Sequence, residues 1–426
     1  MIEQPYTLAC GQQLANRFIK AAMTEGLATP EGWPGNAHLE LYRRWGAGGS
    51  AAHISGNIMI DRRYLERAGN VIVEDNSGLD KLRAWADVVH AGGSLLWGQI
   101  SHPGRQCPRQ ICAQPLSASA VRLDLAHSFG QPRAASSAEL HDIIERFANT
   151  AAILQRAGFD GVQIHAAHGY LLSQFLSPRT NQRSDEWGGS LANRARLLLA
   201  VVRAVRQRVG PAMCVAVKLN SADFVQGGFT QQECLQVVEW LNDCQVDVLE
   251  VSGGTYENLV MFDALPAEQI RASTRQRIAT FLDYASAIKR VAQMPVMLTG
   301  GFRTRSGMVQ ALQDGATDFI GLARPYCLQP DLASQLIAGR METLPIPEAR
   351  LVLGQGYFGP NSRAHLWRTL NNLAQAAWYY HQIEALAAGQ PPAPEYGARS
   401  ALLSHVLNDQ RRIRRYQQHQ RQTARG

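Results

Sequence analysis

The sequence predicts an α/β fold: a (β/α)8 TIM barrel with a C-terminal helical extension. Three observations predict it. Eight short apolar runs recur between residues 18 and 322. Stretches of helical length and amphipathic spacing separate them, as parallel strands joined by crossovers require. Each run ends in polar, small or glycine residues, and barrels of this class collect their chemistry at the carboxyl ends of the strands. An open doubly wound sheet is the competing fold. It wants a glycine-rich turn directly after the first strand, and Ala22-Met23-Thr24-Glu25 does not supply one.

Taken in order, the runs are residues 18–22, 51–58, 94–100, 161–164, 214–219, 246–252, 296–299 and 319–322. Ser136-Ser-Ala-Glu139 opens a helix through Ala157 as a capping box, and Thr230-Gln-Gln-Glu233 does the same before Asn242. Gly158 and Gly210 stand just past helix ends, where a left-handed residue closes the last turn. No period suggests a solenoid. After Gly339 the barrel pattern stops. Pro345-Ile-Pro347 reads as a linker, and Gly354 to Pro360 as a loop. From Asn361 a helix is expected, with Leu366, Leu370, Leu373, Ala377, Tyr380 and Ile383 on its packed face, against the barrel or a neighbouring subunit. Gly389-Gln-Pro-Pro-Ala-Pro394 ends it, and residues 402–413 add one more amphipathic helix. The division is therefore residues 1–340 for the barrel and 341–426 for a helical extension with a basic tail.

Composition narrows the class. A hydrophobic content of 46% suits a soluble globular chain with a sizeable core. No apolar run approaches the length that spans a bilayer, and Met1-Ile-Glu-Gln-Pro lacks the pattern of a signal peptide. Seven scattered cysteines without a C-x-x-C pair favour reduced thiols in the cytoplasm over a disulfide frame. The net charge is +7, but six arginines against one aspartate from Asn408 onward account for +5 of it, leaving +2 for the rest. Such an end is expected to be solvated or partly disordered. The body is not basic, so neither nucleic acid nor a membrane is an expected partner, while a homo-oligomer stays open.

The most informative stretch follows the fourth run. Val162 to Ile164 ends in His165, a small-residue spacer, His168, Gly169 and Tyr170. Two imidazoles and a phenol just past a strand end form a cluster able to donate hydrogen bonds and protons. The bland reading is that each is a satisfied strand-end residue. A metal is not expected, since no third ligand stands at suitable spacing. The remaining strand ends supply Met23-Thr24, Gly56-Asn57, Gln99, Lys218, Ser252-Gly253, Gly300-Gly301 and Ala323-Arg324. Glycines after the seventh strand and an arginine after the eighth fit a phosphate, because bare backbone N–H groups can approach it and guanidinium binds it bidentately.

The segment from Gly161 to Asn181, continuing through Asp185, Gly188-Gly189 and Asn193-Arg194, resembles the FMN-dependent ene-reductases of the old yellow enzyme family. More narrowly it resembles the NADH:flavin oxidoreductase / NADH oxidase branch, over residues 1–340. The resemblance implies FMN as cofactor, NADH or NADPH as hydride donor, and reduction of the C=C bond of an α,β-unsaturated carbonyl compound. It places Ala22, Met23 and Thr24 beside the flavin, with Thr24 donating to its O4/N5 edge. Gly56 would allow close approach, Gln99 would bond the pyrimidine edge, and Lys218 would sit near N1/O2. Gly300, Gly301, Ala323 and Arg324 would hold the phosphate. His165 and His168 would bond the substrate oxygen, and Tyr170 would give the proton.

Three departures stand out. Many relatives have arginine at Lys218, and some have cysteine at Thr24. A related branch resembling dienoyl-CoA reductases and trimethylamine dehydrogenase adds a cysteine cluster after the barrel. Cys327 is the last cysteine here, so a four-cysteine iron–sulfur centre has no ligands in that region. The same site could serve NAD(P)H oxidase or quinone and nitro reductase chemistry. Two rival readings compete with it: a flavin barrel similar to dihydrouridine synthases, using the basic tail, and an aldolase with Lys218 as a Schiff base.

Overall fold

The computed structural model describes residues 1–123, 128–252 and 284–423. Gly253, named above as a strand end, lies outside them. All eight expected strands form: β1 (Phe18–Lys20), β2 (Ala52–Met59), β3 (Leu95–Ser101), β4 (Gly161–Ala166), β5 (Cys214–Asn220), β6 (Val248–Ser252), β7 (Val296–Thr299) and β8 (Phe319–Leu322). They pair in parallel and in sequence, and β8 pairs with β1, with Ile320 beside Phe18, so the sheet closes into a barrel. A hairpin of Tyr6–Thr7 and Gln13–Leu14 covers the amino-terminal end. Its Leu8 and Leu14 pack with Ile19, Ile54, Trp97, Met297 and Phe319 into an apolar floor. Alternation along the strands then sets the next inward layer, which is polar: Gln99, Gln163, Lys218 and Glu250.

The flanking helices are α1 (Asn36–Gly46), α2 (Leu79–His90), α3 (Ser137–Arg156), α4 (Leu171–Leu176), α5 (Leu191–Val209), α6 (Gln231–Asn242), α7 (Arg305–Gln313) and α8 (Leu332–Ile337). Both expected capping boxes form at α3 and α6, each satisfying two orphan backbone donors. Gly210 adopts φ 74° with ψ −175°, so it is not the left-handed helical cap expected, although its positive φ still needs glycine.

The extension departs from expectation in three places. Pro345-Ile-Pro347 is no bare linker: it leads into a 3-10 turn, Pro347–Arg350, that buries Glu348. The next helix, α9 (His365–Ala387), buries Ala374, Ala377, Trp378 and Ile383, while Leu366 and Leu373 are 62% and 48% exposed. Part of the expected packed face is thus turned outward, because α1 and the last helix select a different stripe. That last helix, α10 (Ala398–Thr423), replaces the expected solvated tail. Asp409 pairs with Arg67 at 2.5 Å, Arg412 pairs with Glu384 at 2.6 Å, and the Tyr416 hydroxyl donates to Arg62 O at 2.6 Å. Among the described residues no helix is long and apolar enough to cross a membrane.

Candidate active site

The carboxyl end of β4 positions the central cluster. His165 is the fifth residue of the strand and stands in register with Lys218 of β5, which is in register with Glu250 of β6. The His165 ring lies 4.7 Å from that of Tyr170 and 5.2 Å from that of His168, both edge-on. The structure therefore brings these three together, with Lys218 beside them.

Each imidazole is held in place by its own partners. The Ala167 N–H donates to His165 Nδ1 at 3.2 Å, which leaves the ring proton on Nε2. His168 has φ 60°, a conformation that costs a non-glycine residue on the order of 1–2 kcal/mol. Three contacts hold it there. Its N–H donates to Asn220 Oδ1 at 3.2 Å, its carbonyl accepts from Gln106 Nε2 at 3.0 Å, and its Nε2 shares a 2.7 Å bond with the Ser252 hydroxyl. Phe224 and Gln245 share this conformation, and what sets His168 apart is its place beside a titratable cluster, which makes it a candidate site residue. Burial pushes both imidazoles well below their usual range, and the Lys218 ammonium adds to this at each. Both are neutral at physiological pH, so they can donate N–H bonds without carrying charge.

Below the cluster runs a buried hydrogen-bond chain. Gln99 Nε2 donates to Gln163 Oε1 at 2.7 Å. Gln163 Nε2 reaches past β5 to Glu250 Oε2 at 2.7 Å, and Glu250 Oε1 lies 2.8 Å from Lys218 Nζ. Sequence reasoning missed Gln163 and Glu250. The signal was there: a carboxylate inside the apolar run Val248–Ser252 needs a buried cation, and Lys218 has the same inward parity one strand away. The ion pair also disfavours the aldolase reading, since an ammonium held by a carboxylate is no nucleophile.

The remaining expected residues fall into two groups. After β7, Gly300 and Gly301 have φ 111° and 78°, and a Cβ on Gly300 would meet nothing within 4 Å. Successive positive-φ residues turn their N–H groups into an anion-binding concavity. Thr299 Oγ1, just before them, is buried with no hydrogen-bond partner among the described residues. Ala323 and Arg324 follow β8, and Arg324 pairs with Glu348 of the extension at 3.0 Å and lies 5.7 Å from the Tyr379 ring. After β1, Ala22 and Met23 are half-buried, with Met23 Sδ in contact with the Cys327 thiol at 3.8 Å. The Thr24 hydroxyl donates to Glu66 at 2.8 Å, so its proton is already taken there. At Gly56 a Cβ would lie 2.2 Å from Glu25 Oε2 and 2.5 Å from Met23 O, and its N–H donates to Glu25. Gly56 is thus required by packing against a buried carboxylate that Tyr42 also bonds. The rest of the stretch used for the resemblance is scaffolding: Asn181 bonds the carbonyls of Phe175 and Trp187, and Arg194 pairs with Glu233.

This donor set fits FMN. Lys218 and the Gln99 amide suit the polar edge of an isoalloxazine, and the glycine concavity with its orphaned threonine hydroxyl suits a phosphate.

Several buried histidines share the depressed basicity of the central pair. Burial lowers His53 to about 3 and His102 to about 4. An unfolded imidazole titrates near pH ~6.5, so below that pH the unfolded chain binds more protons than the folded one, and folding stability falls as pH falls. Each such histidine contributes a slope of about 1.4 kcal/mol per pH unit. His90, raised by its bond to Asp160, is the one histidine among the described residues that opposes the trend. Urea midpoints should therefore drop between pH 7 and pH 5, and a flat profile would contradict the neutral state of these rings.

Comparison with known proteins agrees with the fold. The model of the NADH:flavin oxidoreductase / NADH oxidase family matches residues 3–343. An NADH-dependent flavin oxidoreductase of Aspergillus parasiticus is 41% identical over 348 residues, covering 78% of this chain and 77% of that protein. An NADH oxidase of Thermoanaerobacter brockii is 30% identical, covering 78% of this chain and 50% of that one. The old yellow enzyme homologue of Zymomonas mobilis has the same fold, with a TM-score of 0.68 at 24% identity, covering 82% of this chain and 95% of that one.

Proposed function

The chain belongs to the NADH:flavin oxidoreductase / NADH oxidase family, and from that premise we propose that it reduces the activated C=C bond of small α,β-unsaturated carbonyl compounds. Its cofactor is FMN and its hydride donor a reduced nicotinamide dinucleotide. When bound, FMN supplies the hydride chemistry. His165 Nε2–H and the His168 ring donate to the carbonyl oxygen of the acceptor, where negative charge develops as the alkene is reduced. Tyr170 Oη passes its proton to the α-carbon. Gln99, Lys218, Gly300, Gly301, Ala323 and Arg324 hold the cofactor, with Ala22, Met23 and Thr24 along its edge. Thr24 acts there as an acceptor, or after releasing Glu66. The barrel carries this site, and the extension from residue 341 braces it through Glu348 and α10. Seven free thiols suit a cytoplasmic setting.

The observation that carries the reading is the neutral His165 imidazole at a strand end, in edge contact with a second neutral imidazole, His168, and with the Tyr170 phenol. Tyr170→Phe tests it. The variant should keep reduction by nicotinamide and lose alkene turnover by about 10²–10⁴-fold, the usual worth of a positioned acid. Stopped-flow absorbance separates the two half-reactions. The relative named NADH oxidase favours a second reading, with dioxygen as acceptor. Oxidase turnover needs no proton at an α-carbon, so it should survive in Tyr170→Phe. Full alkene turnover in that variant would remove Tyr170 from its role. An RNA substrate gains no support, because the basic carboxyl end is docked against the fold through Asp409, Arg412 and Tyr416.

A further inference from the structure

A cluster of metal-ligating side chains lies at the opposite end of the barrel from the active site. Cys10 stands in the turn of the amino-terminal hairpin, Cys214 opens β5, and Asp247 is the residue just before β6. The two Sγ atoms and a carboxylate oxygen of Asp247 all lie within 4.8 Å of one another. Residues so distant in sequence carry no spacing motif, and the fold alone brings them together.

A structural role accounts for Asp247 by itself. Aspartates just ahead of strands act as latches in this barrel: Asp160 Oδ2 accepts the Leu96 N–H at 2.8 Å, and Asp318 Oδ2 accepts the Val296 N–H at 2.7 Å. Asp247 Oδ2 likewise accepts the Val215 N–H at 2.8 Å and pairs with Arg206 Nη2. Both bonds fall on Oδ2, and Oδ1 takes no hydrogen bond among the described residues. The latch does not explain why two thiols are brought against it.

Two of the three groups are fixed and one can adjust. Cys214 N–H donates to Asp160 O at 3.1 Å, and Arg206 also donates to the carbonyls of Gly210 and Met213, each at 2.8 Å. Cys10 lies in a turn closed by Leu8 N–H to Gln12 O and Gly11 N–H to Leu8 O, both at 2.9 Å. Cys214 is buried and Cys10 half-buried, so an ion enters past Cys10. A neutral oxygen stands near the start of β5 as well. The Gln12 amide nitrogen donates to Asp160 O, the carbonyl that Cys214 N–H bonds, and Gln12 Oε1 is buried with no hydrogen-bond partner among the described residues.

We propose that Cys10, Cys214 and Asp247 bind one thiophilic divalent cation of the Zn²⁺ class, which fastens the hairpin to β5 and β6. Thiolate donors select zinc over magnesium or calcium. Tetrahedral zinc holds sulfur at about 2.3 Å and carboxylate oxygen at about 2.0–2.2 Å, so its ligand atoms stand roughly 3.4–3.8 Å apart. The hairpin turn has to close by no more than about 1.4 Å to reach that geometry. Both thiols lose their protons to solvent as the metal binds. Two thiolates and one carboxylate against Zn²⁺ leave one negative charge, which the Arg206 guanidinium balances. Gln12 Oε1 or water completes the tetrahedron.

The test titrates Zn²⁺ alone into the reduced, metal-stripped, FMN-loaded chain against a chromophoric chelator. One Zn²⁺ should bind per chain, and more weakly as pH is lowered, because protons compete for sulfur. Zn²⁺ should also raise the thermal midpoint of the parent. Co²⁺ in its place should show tetrahedral thiolate bands at the red end of the visible, beyond the absorbance of oxidised flavin. Cys10→Ser and Cys214→Ser should each lose affinity by about 10²-fold or more, and the thermal shift with it, whereas Cys112→Ser should match the parent. The parent titration and Cys10→Ser, a near-isosteric change in a half-buried turn, decide even if Cys214→Ser fails to fold. The proposal is overturned if the parent takes no Zn²⁺ from the chelator, if Cys10→Ser binds it as the parent does, or if binding is lost in His165→Ala/His168→Ala instead.

Discussion

Replacing His165 and His168 together with alanine is expected to slow alkene reduction by about 10⁴-fold while FMN stays bound. Each single replacement should cost about 10²–10³-fold, the loss typical of one hydrogen-bond donor to a developing oxyanion. The double loss is expected to fall short of the product, because rings 5.2 Å apart that serve one oxygen act as a unit. The cofactor should remain because the residues proposed to hold it lie on other strands: Gln99 in β3, Lys218 in β5, and the glycines and arginine after β7 and β8. Visible absorbance of the purified variant measures its flavin, and stopped-flow mixing measures the two half-reactions. The neutrality of both rings adds a sharper expectation. What the site needs is an N–H and not a positive charge, so asparagine at both positions should recover much of the rate that alanine loses. Flavin lost in proportion to turnover would show that the imidazoles hold the cofactor and not the substrate.

The barrel was legible because its signal is local. Each strand is a run of apolar residues bounded by turn residues, and structure moved the boundaries by only one or two positions, as at Phe18–Lys20 and Gly161–Ala166. The two capping boxes are likewise four-residue patterns. The adjacency of His165, His168 and Tyr170 was legible for the same reason, since the three share one strand end. What depends on distant partners was not legible. The basic end folds because Asp409 meets Arg67 and Tyr416 meets Arg62, contacts that span more than three hundred residues. Glu348 looks like part of a linker until Arg324 is placed beside it. The buried stripe of α9 depends on which neighbours it packs against, and periodicity alone admitted Leu366 and Leu373. Gly56 shows the converse: a bare Cα is needed there to pack against Glu25, thirty-one residues earlier, a partner that no local pattern announces.

Glu250→Leu should destabilise the fold by about 3–5 kcal/mol, one of the larger effects expected of a single substitution here. Glu250 is fully buried, and its two oxygens meet Lys218 Nζ at 2.8 Å and Gln163 Nε2 at 2.7 Å. Removing the carboxylate leaves an ammonium inside the barrel with no counter-charge, and it also strands the amide that Gln163 presented to it. Lys218→Met leaves the opposite charge stranded and should be costly for the same reason. Because a buried ion pair gains little over a well-packed apolar pair, the double variant Lys218→Met/Glu250→Leu should recover most of the loss. Urea unfolding followed by tryptophan fluorescence, with and without excess FMN, reads out the cycle. In the absence of flavin the double variant should approach the parent, whereas added FMN should stabilise the parent more than the double variant, since the proposed flavin contact of Lys218 is gone. Recovery of stability without recovery of flavin linkage would assign the pair two separable jobs, closing the barrel interior and presenting a cation to the cofactor. If both single variants unfold at the parent's urea concentration, water reaches this layer and the pair is not the desolvated contact its burial indicates.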